Sequence, residues 1–136
     1  MNAWRIEVFQ TSERADPEGA RAETALRELG IFAHATNVRV RVGKGFLLSP
    51  ELSEAQVQRI TRELLADPVL EEPRIFAPGK TPRARRGVHR LSVMRRPGVM
   101  DPSARTIERT LARAAQLASG APVRALTFTL YEIEGE

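Results

Sequence analysis

Short runs of alternating apolar and polar residues predict five strands in this chain. They cover residues 4–9, 37–48, 70–76, 89–94 and 123–133. In the first run, Trp4, Ile6 and Val8 share one face, which we expect to be buried. In the second run, Gly43 and Gly45 interrupt the pattern and predict either a bulge or a close approach of another group to the backbone. The third run contains a proline, which favours a position at the edge of a sheet.

Three helices are predicted between these strands, over residues 17–29, over residues 53–66 and from residue 102 onward. Asp16-Pro17 and Asp101-Pro102 each read as an N-cap followed by the first helical residue. Ser53 with Gln56 is a capping-box pattern, and Gly30 is placed to end the first helix. The residues expected to face the core are Ala22, Ala25, Leu26 and Leu29 in the first helix; Val57, Ile60 and Leu64, with Leu65 as a further candidate, in the second; and Ile107, Leu111, Ala114 and Leu117 or Ala118 in the third.

The order of these elements repeats at an offset of 85 residues (89 − 4 = 85). Trp4 corresponds to His89, Asp16-Pro17 to Asp101-Pro102, and Val38-Arg39 to Val123-Arg124. We therefore predict a first unit at 1–76, a Pro/Gly/Arg linker at 77–87 and a second, truncated unit at 88–136. The fold class is α+β, with two βαβ(αβ) units in a pseudo-twofold arrangement and a mixed or antiparallel sheet covered by amphipathic helices.

Composition narrows the range of functions. The chain has 136 residues, of which 42% are hydrophobic and 28% charged, as expected for a globular protein. It contains no cysteine, so disulfides and thiolate chemistry are excluded. No apolar run is long enough to cross a membrane, and we expect a cytoplasmic protein. Of the 21 cationic side chains, 19 are arginine; a GC-rich genome or a need for forked donors to carboxylates and phosphates would each explain this bias.

No sequence motif for catalysis is present. His34 and His89 are the only histidines and have no matching acid or nucleophile nearby in sequence. Nucleotide-binding, metalloprotease and nucleophile-elbow motifs are missing. We therefore expect no catalytic, metal or cofactor site. The basic stretch from Lys80 to Arg96 contains no aromatic residue that could stack on bases, so nucleic-acid binding is not favoured.

Specific strings resemble a known family. Residues 41–44 (RVGK), residues 64–75 (LLADPVLEEPRI) and residues 95–107 (RRPGVMDPSARTI) are similar to the small S subunit of bacterial phosphoribosylformylglycinamidine synthase, the PurS family. Asp67 stands where that family usually has asparagine. In the first unit's opening only Asp16, Pro17 and Gly19 match. The tandem arrangement resembles the N-terminal PurS-like domain of the long, single-chain FGAM synthetases.

The resemblance implies a non-catalytic role in an ATP- and glutamine-dependent ligase of purine biosynthesis. The S subunit, which works as a dimer, joins a synthetase (PurL-like) and a glutaminase (PurQ-like), so that ammonia from glutamine is used to convert FGAR to FGAM. By the 85-residue offset Glu51 falls on Glu136, so we expect either a piece of a longer synthetase or a variant whose second unit is completed by another chain.

Partner-docking residues are predicted on the exposed strand face and strand ends: Arg39, Arg41, Gly43, Lys44, Arg95 and Arg96. An exposed sheet edge also predicts a possible homo-oligomer. Two alternatives remain at this point. One is a ferredoxin-like or ACT-like domain that senses a metabolite, with Gly43 and Gly45 admitting the ligand. The other is an RNA-binding accessory protein that uses residues 80–96.

Overall fold

The computed structural model describes residues 2–11, 16–30, 38–114 and 124–135. The elements in chain order are β1 (Trp4–Gln10), α1 (Pro17–Glu28), β2 (Arg39–Leu48), α2 (Glu54–Ile60) with a π-helical turn (Thr61–Leu65), β3 (Glu71–Phe76), β4 (Val88–Met94), α3 (Pro102–Ala114) and β5 (Ala125–Glu134). The strands form one sheet in the order β3-β1-β2-β5-β4, and every neighbouring pair is antiparallel. The predicted α+β class is confirmed, and the Pro-containing strand β3 lies at a sheet edge as expected.

The helix ends follow the caps read from the sequence. The Asp16 side chain accepts a hydrogen bond from the Gly19 amide, with proline at the first helical position. Ser53 and Gln56 form both bonds of a capping box. Gly30 follows α1 with a φ of 69°, a left-handed conformation that glycine adopts without strain. Local sequence therefore accounts for where α1 and α2 begin and for where α1 ends.

Three predicted core positions differ in the structure. The π turn adds a residue to the last turn of α2, where the Ala66 amide bonds the Thr61 carbonyl. This extra residue brings Leu65 into the core and leaves Leu64 exposed, so the placement of Leu64 in the core was wrong. In α1, Leu29 and Ala25 are exposed, although the sequence placed both in the core. The side chain of Ala114 and residues 117–118 lie outside the described part of the chain.

The sheet carries a cluster of apolar residues on each face. The larger cluster joins β1, β2 and β5 to α2 and α3 through Trp4, Ile6, Val8, Phe46, Leu48, Leu52, Val57, Leu65, Ala66, Ala104, Ile107, Leu111 and Ala125. The smaller cluster contains Phe9, Phe128 and Leu130, with Leu47 packed against it. We call the face of the larger cluster the helix-side face. Among the described residues, the smaller cluster contains only strand residues, and we call its face of the sheet the helix-free face.

The strand registers repeat at the same 85-residue offset as the sequence. Trp4 pairs with Leu48 across β1 and β2, and the positions 85 residues later, His89 and Ile133, pair across β4 and β5. Between the two halves, Lys44 of β2 pairs with Thr129 of β5. These two residues are themselves 85 positions apart. The geometry is therefore compatible with a pseudo-twofold axis that passes between Lys44 and Thr129.

Side-chain hydrogen bonds between helix and strand repeat as well. Asp16 accepts from the Gly19 amide (2.9 Å) and the Val42 amide (3.1 Å), and Asp101 accepts from the Ala104 amide (3.0 Å) and the Thr127 amide (3.0 Å). Glu23 accepts from the Val40 amide (2.9 Å), and Glu108 from the Ala125 amide (3.0 Å). Each partner is offset by 85 residues from its equivalent. These carboxylates accept hydrogen bonds from amides of β2 that do not pair with β1 and from amides of β5 that do not pair with β4.

Candidate protein-docking site

The structure separates the predicted docking residues into two groups. Arg39 and Arg41 lie on the helix-free face of β2 and line a cavity of about 470 Å³ together with Glu132. Lys44 lies on the helix-side face and shares a second cavity of about 470 Å³ with Arg95. Arg96, in the turn after β4, is exposed. The six residues therefore do not form one continuous surface.

The side chain of Arg41 is less exposed than the sequence analysis predicted. Its guanidinium lies 4.6 Å from the centre of the Phe9 ring, a distance typical of a cation–π contact. Its Nη1 atom lies 3.7 Å from Glu132 Oε2. Both contacts hold Arg41 against the sheet, so this residue contributes to the packing of the fold as well as to the charge of the surface.

Arg41 is one member of a charged network that crosses the helix-free face. The network consists of Arg5, Glu7, Arg41, Arg90 and Glu132. Arg5 Nε donates to Glu7 Oε2 (2.8 Å), Arg90 donates to Glu7 Oε2, and Arg90 Nη1 donates to Glu132 Oε1 (2.7 Å). Arg90 thus links two strands, β1 and β5, from its own position on β4.

Glu7 is the most enclosed member of this network, with 0% of its surface exposed. Its Oε2 atom takes both arginine bonds, whereas Oε1 has no hydrogen-bond partner among the described atoms. A buried carboxylate is costly unless it is paired, so the arginines compensate for burying it. The sequence analysis did not select Glu7, since only the face with Trp4, Ile6 and Val8 was predicted to be buried. The apolar residues Phe128 and Leu130 on the same face were the available signal.

The two glycines of β2 make room for aromatic rings. A Cβ atom on Gly45 would lie 2.1 Å from the ring of Phe128, and one on Gly43 would lie 2.8 Å from the ring of Phe9. The register of β2 with β1 and β5 runs without a bulge. Of the two explanations offered by the sequence, the close approach is confirmed. The rings occupy the space in which a metabolite-sensing domain would have admitted its ligand.

The second group of predicted residues pairs with acidic side chains. Lys44 Nζ lies 3.1 Å from Glu71 Oε2. Arg95 Nη1 lies 3.3 Å from Asp101 Oδ1 and donates to Thr127 Oγ1. Burial raises the pKa of the Asp101 carboxyl, but hydrogen bonds from Ala104 and Thr127 and the nearby charge of Arg95 outweigh it, so the pKa lies below its usual value. Lys44 and Arg95 remain largely accessible to a partner.

The basic stretch at residues 80–96 is divided by the fold. Arg90 belongs to the charged network and Arg95 pairs with Asp101. The remaining cations are exposed, and they are Lys80, Arg83, Arg85, Arg86 and Arg96. Two of the seven positive charges therefore already have acidic partners within the chain.

The described residues offer little for chemistry. No group of three or more histidine or acidic side chains among them could hold a metal ion. His89 is exposed on β4, and His34 lies outside the described residues. None of the helices in the described ranges is long and apolar enough to cross a membrane.

Comparison with known proteins assigns the family. The sequence profile of PurS, described as phosphoribosylformylglycinamidine (FGAM) synthase, matches residues 3–77. This range contains β1 through β3 and is more than half of the 136-residue chain. No curated protein and no solved structure matches the chain. The chain belongs to the PurS family, and its role is therefore in FGAM synthase and purine biosynthesis.

Proposed function

We propose that this protein is a non-catalytic assembly component of FGAM synthase. It would hold a PurL-like synthetase and a PurQ-like glutaminase together, so that ammonia released from glutamine reaches the synthetase without escaping to water. The family match supports this proposal, because PurS is a subunit of the FGAM synthase complex. The exposed cations described above, which are Arg39, Lys44, Arg95 and Arg96, are suited to contacting protein partners.

The observation that carries the proposal is the pairing of Lys44 with Thr129 at the centre of the sheet. With the repeated registers on either side, it supports two related units in one chain, at 1–76 and 88–136, joined by the linker 77–87. Equivalent positions in the two units carry different side chains, as Lys44 and Thr129 do. Two similar surfaces with different chemistry can bind two different subunits, which is what an assembly component requires.

Among the predicted docking residues, Arg39 and Lys44 are the best candidates for direct contact. Both are exposed, and they lie on opposite faces of β2. Arg95 and Arg96 extend the positive surface at the end of β4. Charged groups at the rim of an interface mainly set the rate of association and the choice of partner. Acidic patches on the two enzyme subunits are the expected counterparts.

A mixing experiment tests the assembly role. The chain would be combined with the synthetase and glutaminase subunits, glutamine and Mg-ADP on a sizing column with mass detection. We expect one complex containing all three proteins. Arg39→Glu and Lys44→Glu should weaken it, whereas Arg105→Glu, an exposed charge reversal on α3, should not. Absence of co-elution, or equal weakening by all three substitutions, would refute the role assigned to these residues.

A further inference from the structure

Equivalent positions on β1 and β4 differ sharply in burial. Ile6 and Val8 on β1 are 0% and 1% exposed, whereas Leu91 and Val93, 85 positions later, are 54% and 51% exposed. The equal registers place each pair at the same point on the helix-side face. Equivalent apolar side chains are therefore buried in the first half of the molecule and exposed to solvent in the second half.

The segment that covers β1 is a helix followed by a strand. Val57 of α2 and Leu65 of the π turn belong to the same core cluster as Ile6 and Val8. The following strand, β3, then pairs antiparallel with the outer edge of β1. This α2–β3 segment, residues 51–76, both buries the apolar side chains and satisfies the strand edge.

No described strand pairs with the outer edge of β4, so its hydrogen-bonding groups are open to a further strand. In the segment after the strand, Val99 and Met100 are also exposed apolar residues. Exposed apolar side chains beside an open strand edge are typical of a site of strand addition.

The charged residues at the same edge indicate which side chains an added strand would carry. In the first unit, Glu71 and Glu72 of β3 pair with Gln10 and Phe9 of β1. The position 85 residues after Gln10 is Arg95, which is exposed together with Arg96. A strand added to β4 in the same register would place its acidic residues beside these arginines, where the opposite charges attract.

We propose that the surface formed by the outer edge of β4 with Leu91 and Val93 binds a helix–strand segment with the same pattern as residues 51–76. The helix covers Leu91 and Val93, and the strand pairs antiparallel with β4 and brings acidic side chains to Arg95 and Arg96. This inference rests on the proposed repeat of the unit. It does not depend on the enzyme subunits, so its test and that of the assembly role fail separately.

Hydrogen exchange of the β4 amides tests the proposal on the full chain. The probe is a synthetic peptide with this chain's own residues 51–76, and the control peptide carries Val57→Asp and Leu65→Asp. We expect saturating peptide to slow exchange of amides in residues 88–94 about tenfold or more, and the control peptide to have no effect. Leu91→Lys with Val93→Lys should abolish the protection, whereas Val69→Lys, on an exposed apolar residue elsewhere, should not.

Two results would overturn the proposal. One is unchanged exchange of the β4 amides at saturating peptide, or protection that survives the substitutions at Leu91 and Val93. The other is a dimer in light scattering whose β4 amides are already protected without peptide and lose that protection in the Val93→Lys variant. In that case the occupant would be a second copy of the chain that pairs through β4.

Discussion

Asp16 and Asp101, 85 positions apart, each tie the first turn of a helix to a strand amide. One carboxylate oxygen caps the helix and the other accepts from β2 or β5. In β-strands that are not fully paired, amides without an acceptor are costly. These aspartates therefore fix both the start of the helix and its position on the sheet. A single residue type at one spacing does the same work in both halves.

Replacement of Asp101 with asparagine should separate its two roles. The amide oxygen can still cap α3, but the amide nitrogen cannot accept from the Thr127 amide. We expect the free energy of unfolding to fall by about 1–3 kcal/mol. Asp16→Asn should have an effect of similar size, because the Val42 amide loses its acceptor. Chemical denaturation at neutral pH measures both; an unchanged stability would contradict the role given to the second bond.

The same residue predicts a dependence on pH. The pKa of Asp101 is lower in the folded chain than its usual value. The contribution of the Asp101 carboxylate to the free energy of unfolding is therefore fully present above the unfolded pKa of about 4. It is lost as the pH falls through the folded value. The difference in unfolding free energy between the wild-type chain and Asp101→Asn should therefore shrink as the pH drops below about 4. A difference that is constant down to pH 2 would be inconsistent with this account.

Glu7→Gln tests whether the charged network stabilises the fold. The substitution keeps the volume of the side chain but removes the carboxylate that Arg5 and Arg90 share, and Arg90 keeps only its pair with Glu132. Breaking a buried ion pair by removing one partner typically costs about 3–5 kcal/mol. Glu63→Gln is the matched control, since its pair with Arg59 is exposed and should be worth less than about 1 kcal/mol. Thermal and denaturant unfolding would show the difference, and equal effects would mean that the network contributes nothing.

Gly45→Ala tests the contact between β2 and the Phe128 ring. The new methyl group would overlap the ring, so the ring must move and stability should fall by about 1–3 kcal/mol. Gly135→Ala is the control, because its methyl group would meet only Val38 Cγ2 at 3.9 Å. Phe128→Leu added to Gly45→Ala should recover part of the loss, as expected for residues in contact. Additive effects of the two changes would contradict the overlap.

Much of the fold could be predicted from local sequence. Alternation in β1 and β5, the aspartate caps and the capping box are short-range signals, and each predicted an element that the structure contains. The 85-residue offset predicted two similar units, and the equal registers of the two halves are compatible with that prediction. The exposed position of Leu64 could not be predicted in this way, because the π turn that rotates it depends on tertiary packing of Thr61 and Leu65.

The candidate site was harder to predict because it depends on contacts between distant strands. Glu7 and Arg90 are 83 positions apart in the chain, and only the order of the sheet brings them together. Arg41 was chosen for its charge, but its contact with Phe9 exists only because Gly43 leaves space for that ring. Sequence can indicate which residues are charged or small. The pairing of strands decides which of them meet.

The most direct test of the assembly role compares two nitrogen sources. FGAM formation would be measured with the synthetase and glutaminase subunits, with and without this chain, using either glutamine or free ammonia. We predict that the chain raises the glutamine-dependent rate severalfold and leaves the ammonia-dependent rate unchanged. A glutamine-dependent rate that does not respond to the chain, or an equal rise with both sources, would contradict its role in ammonia transfer.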